Sequence, residues 1–276
     1  MSNWTSGDVD VEGARLHYTR TGGDKPPLVL AHGVTDDGLC WSPLARQLEG
    51  ERDVIMVDAR GPGRSSAPEG GYDPLTQGRD LAGVIAALGL KKPPVLGHSM
   101  GAATTLGLAS QFPEVPGAIL LEDPPAWWIP QPNEDEALSE RAAGMMAWIQ
   151  SLRTKTREEL IAGERVNSPT WSDDELGPWA DSKLRVNPVV GRIFQDRFVS
   201  RLGWPEALRA VTCPALLITA DPERGSIVTP EGADLLRAAI PQLQVVRLSG
   251  AGHNIHREQF EGYVAAVKSF LSAAGV

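Results

Sequence analysis

The 276-residue sequence predicts a doubly wound, mostly parallel α/β sheet that carries a helical cap insertion. Three observations carry that expectation. Short continuous apolar runs alternate with stretches of helical period, as in a parallel sheet covered on both faces. The residues with reactive side chains cluster just after those runs, where active sites of such sheets lie. One long stretch, 125–204, interrupts the alternation without any buried-type strand and holds six of the eight tryptophans. The expected organisation is a core in two parts, 1–124 and 205–276, with the cap between them.

The elements follow in order. Val9 to Thr19 reads as a hairpin turning at Gly13, and Thr21 to Pro27 as a loop rich in Gly and Pro. Leu28 to Ala31 is the first buried-type strand and runs into His32-Gly33-Val34; Trp41, Leu44, Ala45 and Leu48 then fall at helical spacing behind Ser42-Pro43. Val54 to Val57 is the next strand, and Leu81, Val84, Ile85 and Leu88 form a helical face that stops at Gly89. Pro94-Val95-Leu96 leads into Gly97-His98-Ser99-Met100-Gly101 and a helix, and Ala118 to Leu121 forms a strand ending on Glu122-Asp123. Pro124, Pro125, Pro130 and Pro132 open the insertion. Most of its tryptophans are expected to build its own small core; Trp127 and Trp128, leaving the sheet beside a candidate acid, are expected to line a substrate cavity. Alternation resumes with Ala215 to Ile218, a helix from Pro230 to Ala239, a strand from Leu243 to Leu248, a turn presenting His253, and a closing helix through Phe260, Tyr263, Val267 and Leu271.

The pentapeptide around Ser99 reads G-x-S-x-G between a strand and a helix. A serine on so sharp a turn needs small neighbours, which Gly97, Gly101, Ala102 and Ala103 supply, and the N–H of Met100 at the helix start can stabilise an oxyanion. A serine hydroxyl is a poor nucleophile and needs a base oriented by a carboxylate. Of the five histidines, His17, His32 and His98 sit in hairpin, turn and elbow positions, and His256 follows on the last helix with at most a rim role. His253, in a glycine-rich turn after the last strand, is placed to meet Ser99.

The order Ser99, acid, His253, with His32-Gly33 after an early strand, resembles the α/β-hydrolase family over nearly the whole chain. The resemblance implies Ser99 as nucleophile, His253 as general base and then acid, the N–H groups of Val34 and Met100 as oxyanion hole, and a structural role for the D-x-R-G-x-G-x-S segment from Asp58 to Ser65. The acid departs from the family pattern. Members usually carry it in a G-x-x-D-x-x-V-P loop after the strand that is here Ala215 to Ile218; counting back from Val228 puts Gly225 there, and counting forward from Ala220 puts Glu223 there with Asp221 nearby. A minority take the acid from the preceding strand end, where Glu122 and Asp123 stand, pointing to opposite faces. Asp123 and Asp221 therefore stay open together, with Glu122 and Glu223 behind them. His32 and the two cavity tryptophans are the expected substrate-binding residues.

Composition narrows the function. A net charge of −9 with no Lys/Arg cluster argues against nucleic acid or an anionic membrane as partner. Two cysteines build neither a disulfide framework nor a metal-thiolate site, and no carboxylate set completes a metal site around His253 and His256. The polar, acidic N-terminus and the lack of a long apolar run lead to the expectation of a cytoplasmic protein, monomeric or homodimeric, without cofactor. The expected activity is hydrolysis of a small apolar or aromatic ester or lactone. Serine in place of aspartate at the elbow disfavours dehalogenase and epoxide hydrolase chemistry, whereas C–C bond hydrolysis and perhydrolysis use the same triad, and a non-catalytic ligand receptor of the same fold is the alternative of another class.

Overall fold

Leu28 and Leu30 enter one buried cluster while Val29 and Ala31 enter another, the period-two alternation of a strand covered on both faces. This strand, β3 (Pro27–Ala31), is the pivot of the sheet. The computed structural model describes residues 4–125, 134–194 and 204–276. The other strands are β1 (Thr5–Val11), β2 (Ala14–Arg20), β4 (Asp53–Val57), β5 (Pro94–His98), β6 (Ala118–Glu122), β7 (Ala215–Thr219) and β8 (Leu243–Arg247). They form one eight-stranded sheet in the order β1-β2-β4-β3-β5-β6-β7-β8. β1, β2 and β4 pair antiparallel, and every pairing from β4 through β8 is parallel.

The chain passes from β3 outward to β4, then returns to the other side of β3 for β5. That reversal opens a crevice at the carboxyl ends of β3 and β5, the place where ligands bind in open α/β sheets. The loop beginning at His32 and the turn at Ser99 both leave the sheet there.

Helices cover the two faces. α1 (Ser42–Leu48) and the closing α10 (Phe260–Ala274) bury Leu44, Leu48, Tyr263, Val267 and Phe270 on one face. α2 (Pro74–Ala87), α3 (Met100–Gln111) and α8 (Pro230–Ala239) cover the other through Leu81, Val84, Leu106, Leu108 and Leu236. Each such fully buried side chain contributes about 1.5–3 kcal/mol. α2 starts where Asp73 accepts from the N–H groups of Leu75 and Thr76, with Pro74 pre-set at its first position.

Between β6 and β7 lie α4 (Glu134–Leu152), α5 (Arg157–Asn167), α6 (Asp173–Arg185), a 3-10 turn at Pro188–Phe194 and α7 (Trp204–Leu208), with no strand among the described residues. Trp171 and Trp179 meet edge to face, 6.2 Å between centroids, inside a small core with Leu152, Leu160 and Leu176. A second cluster joins this segment to the sheet: Ile149, Val186, Val190 and Ile193 pack with Tyr72, Met100 and Val34. α9 (Ile255–Glu258) is one short turn between His253 and α10. Among the described residues no helix is long and apolar enough to cross a membrane.

Candidate active site

Ser99 takes φ 52° and ψ −116°, a backbone conformation that costs a non-glycine residue about 1–3 kcal/mol. Close packing holds it there. A Cβ on Gly97 would stand 2.2 Å from the Gly101 carbonyl oxygen, and one on Gly101 would stand 2.1 Å from the Ala31 carbonyl oxygen, so the elbow and the end of β3 touch through bare backbone. The Ser99 N–H donates to the Glu122 carbonyl at 2.9 Å, which fixes the elbow beside the end of β6. Met100 is the first residue of α3, where backbone N–H groups have no partner within the helix. Its side chain shares an apolar cluster with Val34.

Asp123 follows Glu122 and is fully buried with φ 40°. Its Oδ2 accepts from His253 Nδ1 at 2.6 Å. The loop after β7 supplies the remaining donors: Ser226 Oγ at 2.8 Å and Val228 N at 2.9 Å to Oδ1, and Ile227 N at 2.8 Å to Oδ2. A carboxylate only accepts, so Nδ1 of His253 carries the proton and Nε2 presents a lone pair. The His253 side chain is 29% exposed, its ring stands 4.8 Å from that of His98, and its carbonyl lies 3.0 Å from His98 Nε2. Ser99 and His253 thus attach to consecutive residues, Glu122 and Asp123, at one strand end.

Asp221, expected on a level with Asp123, goes elsewhere. Its carboxylate accepts from Arg247 at 2.7 Å and from the Gly250 N–H at 2.7 Å, and these bonds hold it below the usual carboxylate range, the Gly250 bond first. Glu223 is exposed and lies 3.9 Å from Arg247. Glu122 takes a different partner from Asp123 and meets a second histidine: the His256 N–H donates to it at 2.9 Å and His256 Nδ1 lies 2.8 Å from the same oxygen. His256 is therefore a buried partner of the strand end and not a rim residue. Burial pushes the Glu122 carboxyl up and the His256 imidazole well down.

His32, expected to bind substrate, is committed to the backbone instead. Its Nδ1 lies 2.7 Å from the Gly33 carbonyl and its Nε2 accepts from the Ala59 N–H at 2.9 Å, so no ring nitrogen is left for a ligand. Asp58 serves the fold, accepting from the N–H groups of Gly38 and Arg64 at 2.7 and 2.8 Å. Trp127 and Trp128 lie outside the described residues. Sequence reasoning missed Ser226, whose signal was its place in the loop where the family carries its acid. One strand end anchors the backbone of the elbow serine and, through a buried carboxylate, the His253 imidazole, beside N–H groups at a helix start of the kind suited to a negative oxygen.

The family model described as alpha/beta hydrolase fold matches residues 26–259. The chain is 32% identical over 275 residues to an N-formylmaleamate deformylase of Pseudomonas putida, covering 98% of both chains. It is 28% identical over 271 residues to a 2-(acetamidomethylene)succinate hydrolase of Mesorhizobium japonicum, covering 96% of this chain and 94% of that one. A crystal structure of E-2-(acetamidomethylene)succinate hydrolase superposes with a TM-score of 0.80 at 24% identity, over 98% of this chain and 100% of the other. The chain belongs to the alpha/beta hydrolase fold family.

Proposed function

We propose that the protein hydrolyses small carboxylic esters or lactones through an acyl-enzyme on Ser99. The observation that carries this reading is the His253 imidazole fixed by a fully buried carboxylate at the strand end that also anchors the Ser99 backbone. Ser99 Oγ attacks the carbonyl carbon as its proton passes to His253 Nε2, and the N–H groups of Val34 and Met100 face the oxyanion. The intermediate collapses, the C–O bond to the alcohol breaks, and His253 gives its proton to the departing oxygen. A water then loses a proton to His253, attacks the acyl carbon and releases the acid with Ser99 restored. The helical segment after β6 acts as a cap, joined to the elbow by Ile149, Val186, Val190 and Ile193, which pack with Met100.

A second reading, hydrolysis of an N-acyl group, is favoured by the names of the two relatives above. A panel of p-nitrophenyl acetate and butyrate, γ-lactones, and N-formyl and N-acetyl amides separates the two by kcat/KM. Ser99→Ala should lower kcat on the preferred substrate by about 10³-fold or more. Unchanged turnover in that variant sinks both readings.

A further inference from the structure

Three charged side chains with no part in the chemistry above meet beneath the site. Asp36, Lys183 and Arg257 are respectively 6, 1 and 4% exposed. Lys183 Nζ lies 2.6 Å from Asp36 Oδ1, and an Arg257 terminal nitrogen lies 2.8 Å from Asp36 Oδ2. Lys183 belongs to α6, Asp36 to the loop after β3, and Arg257 to α9, so one carboxylate joins three elements.

Each anchor bears on a reacting group. Asp36 N donates to the Gly33 carbonyl at 3.1 Å, which closes a turn whose two central residues are Val34 and Thr35. Lys183 Nζ also donates to the Thr35 carbonyl at 2.9 Å, so the backbone just after Val34 is held from the side chain and the main chain together. Arg257 stands four residues after His253 and donates to Asn254 Oδ1 at 3.0 Å. The far side of its guanidinium is covered by the Trp171 ring at 4.7 Å and by Glu175 at 3.5 Å. Buried ion pairs are weak sources of stability, since apolar residues of similar volume often stabilise as well or better. A fixed geometry is what this one provides.

We propose that Asp36, Lys183 and Arg257 are positioning residues that set the oxyanion turn at Val34 and the His253 turn against one another, with the helical insertion supplying one of the three charges. The proposal rests on the roles given above to Val34 and His253. A displacement of about 1 Å between such groups is enough to slow chemistry about a hundredfold.

Labelling of Ser99 by a fluorophosphonate tests it, because that reaction uses nucleophile, base and oxyanion hole and needs no knowledge of the substrate. Lys183→Met should slow labelling about tenfold or more and lower the thermal midpoint, having left Asp36 short of a partner. The triple variant Asp36→Asn/Lys183→Met/Arg257→Met removes all three charges; its midpoint should recover towards wild type while its labelling stays slow. Labelling within twofold of wild type in either variant, or labelling that recovers together with the midpoint, overturns the proposal. If wild type is not labelled at Ser99, or Ser99→Ala is labelled equally well, the reading of the site itself fails and the brace falls with it.

Discussion

At the scale of single residues, the candidate acid is where the sequence leaves two residues level and the hydrogen bonds of the fold distinguish them. Spacing alone left Asp123 and Asp221 level, because each lies just beyond a strand end and the family pattern counted from Val228 stops on Gly225. What separates them is where backbone donors converge. The N–H groups of Ile227 and Val228 and the Ser226 hydroxyl turn towards Asp123, so the loop that usually carries the acid here cradles an acid from the neighbouring strand. No local pattern encodes that, since the partners are more than a hundred residues apart. Asp123→Asn should therefore lower kcat by about 10³–10⁴-fold, because an amide no longer enforces the tautomer with a bare Nε2. Asp221→Asn should keep kcat within a few-fold and lower the thermal midpoint, as Arg247 and the Gly250 N–H lose their charged acceptor. Steady-state turnover of p-nitrophenyl acetate and a melting curve on each variant decide the matter; the reverse pattern would return the acid to the loop after β7.

At the scale of elements, α6 shows how an insertion can be legible in outline and opaque in detail. Proline at the entry and the missing strands mark it as helical, and the pairing of Trp171 with Trp179 is the small aromatic core its composition suggests. In the sequence Glu175 belongs to the acidic run Asp173-Asp174-Glu175, a pattern that ordinarily means exposed surface. In the fold it faces inward at 3% exposure, and burial raises its carboxyl from 4.5 to about 7, with Arg257 pulling the other way and Asp36 adding to the rise. The folded protein therefore holds this proton where the unfolded chain has released it. The stabilisation is complete below pH 4.5 and disappears as pH rises through about 7, with a ceiling of about 3 kcal/mol across that interval at 1.36 kcal/mol per unit. Glu175→Gln keeps the shape and cannot ionise. In urea titrations its stability relative to wild type should climb between pH 5 and pH 8, most steeply between about pH 5 and pH 6.5, and level off above pH 7. A difference that stays flat with pH would mean that Glu175 is ionised throughout.

At the scale of the whole molecule, the mostly parallel sheet and the turns after its strands that carry Ser99 and His253 were legible, because apolar runs such as Val54 to Val57 report burial on both faces without knowledge of their neighbours, whereas the strand order around β3 was not. The polar interior between sheet and insertion was not, because it is assembled from residues far apart in the chain: His98 near β5, His256 before α10, Asp36 after β3 and Lys183 in α6. His98 stands at the middle of this interior. Its Nε2 faces the His253 carbonyl, its Nδ1 has no hydrogen-bond partner, and burial brings its pKa down from 6.5 to about 3. A histidine held neutral in the fold binds a proton on unfolding, so its contribution is fully present above pH 6.5 and declines as pH falls towards 3, by about 1.4 kcal/mol per pH unit. Glutamine at this position can still donate to the His253 carbonyl and does not titrate. His98→Gln should accordingly be less stable than wild type at pH 7, and the gap should shrink by about 1.4 kcal/mol for each unit of acidification below pH 6.5. Urea unfolding at pH 7, 6 and 5 reads that slope directly. Parallel stability curves for the two proteins would show that His98 takes up its proton as readily in the folded chain as in the unfolded one, and the buried polar interior would then be open to water.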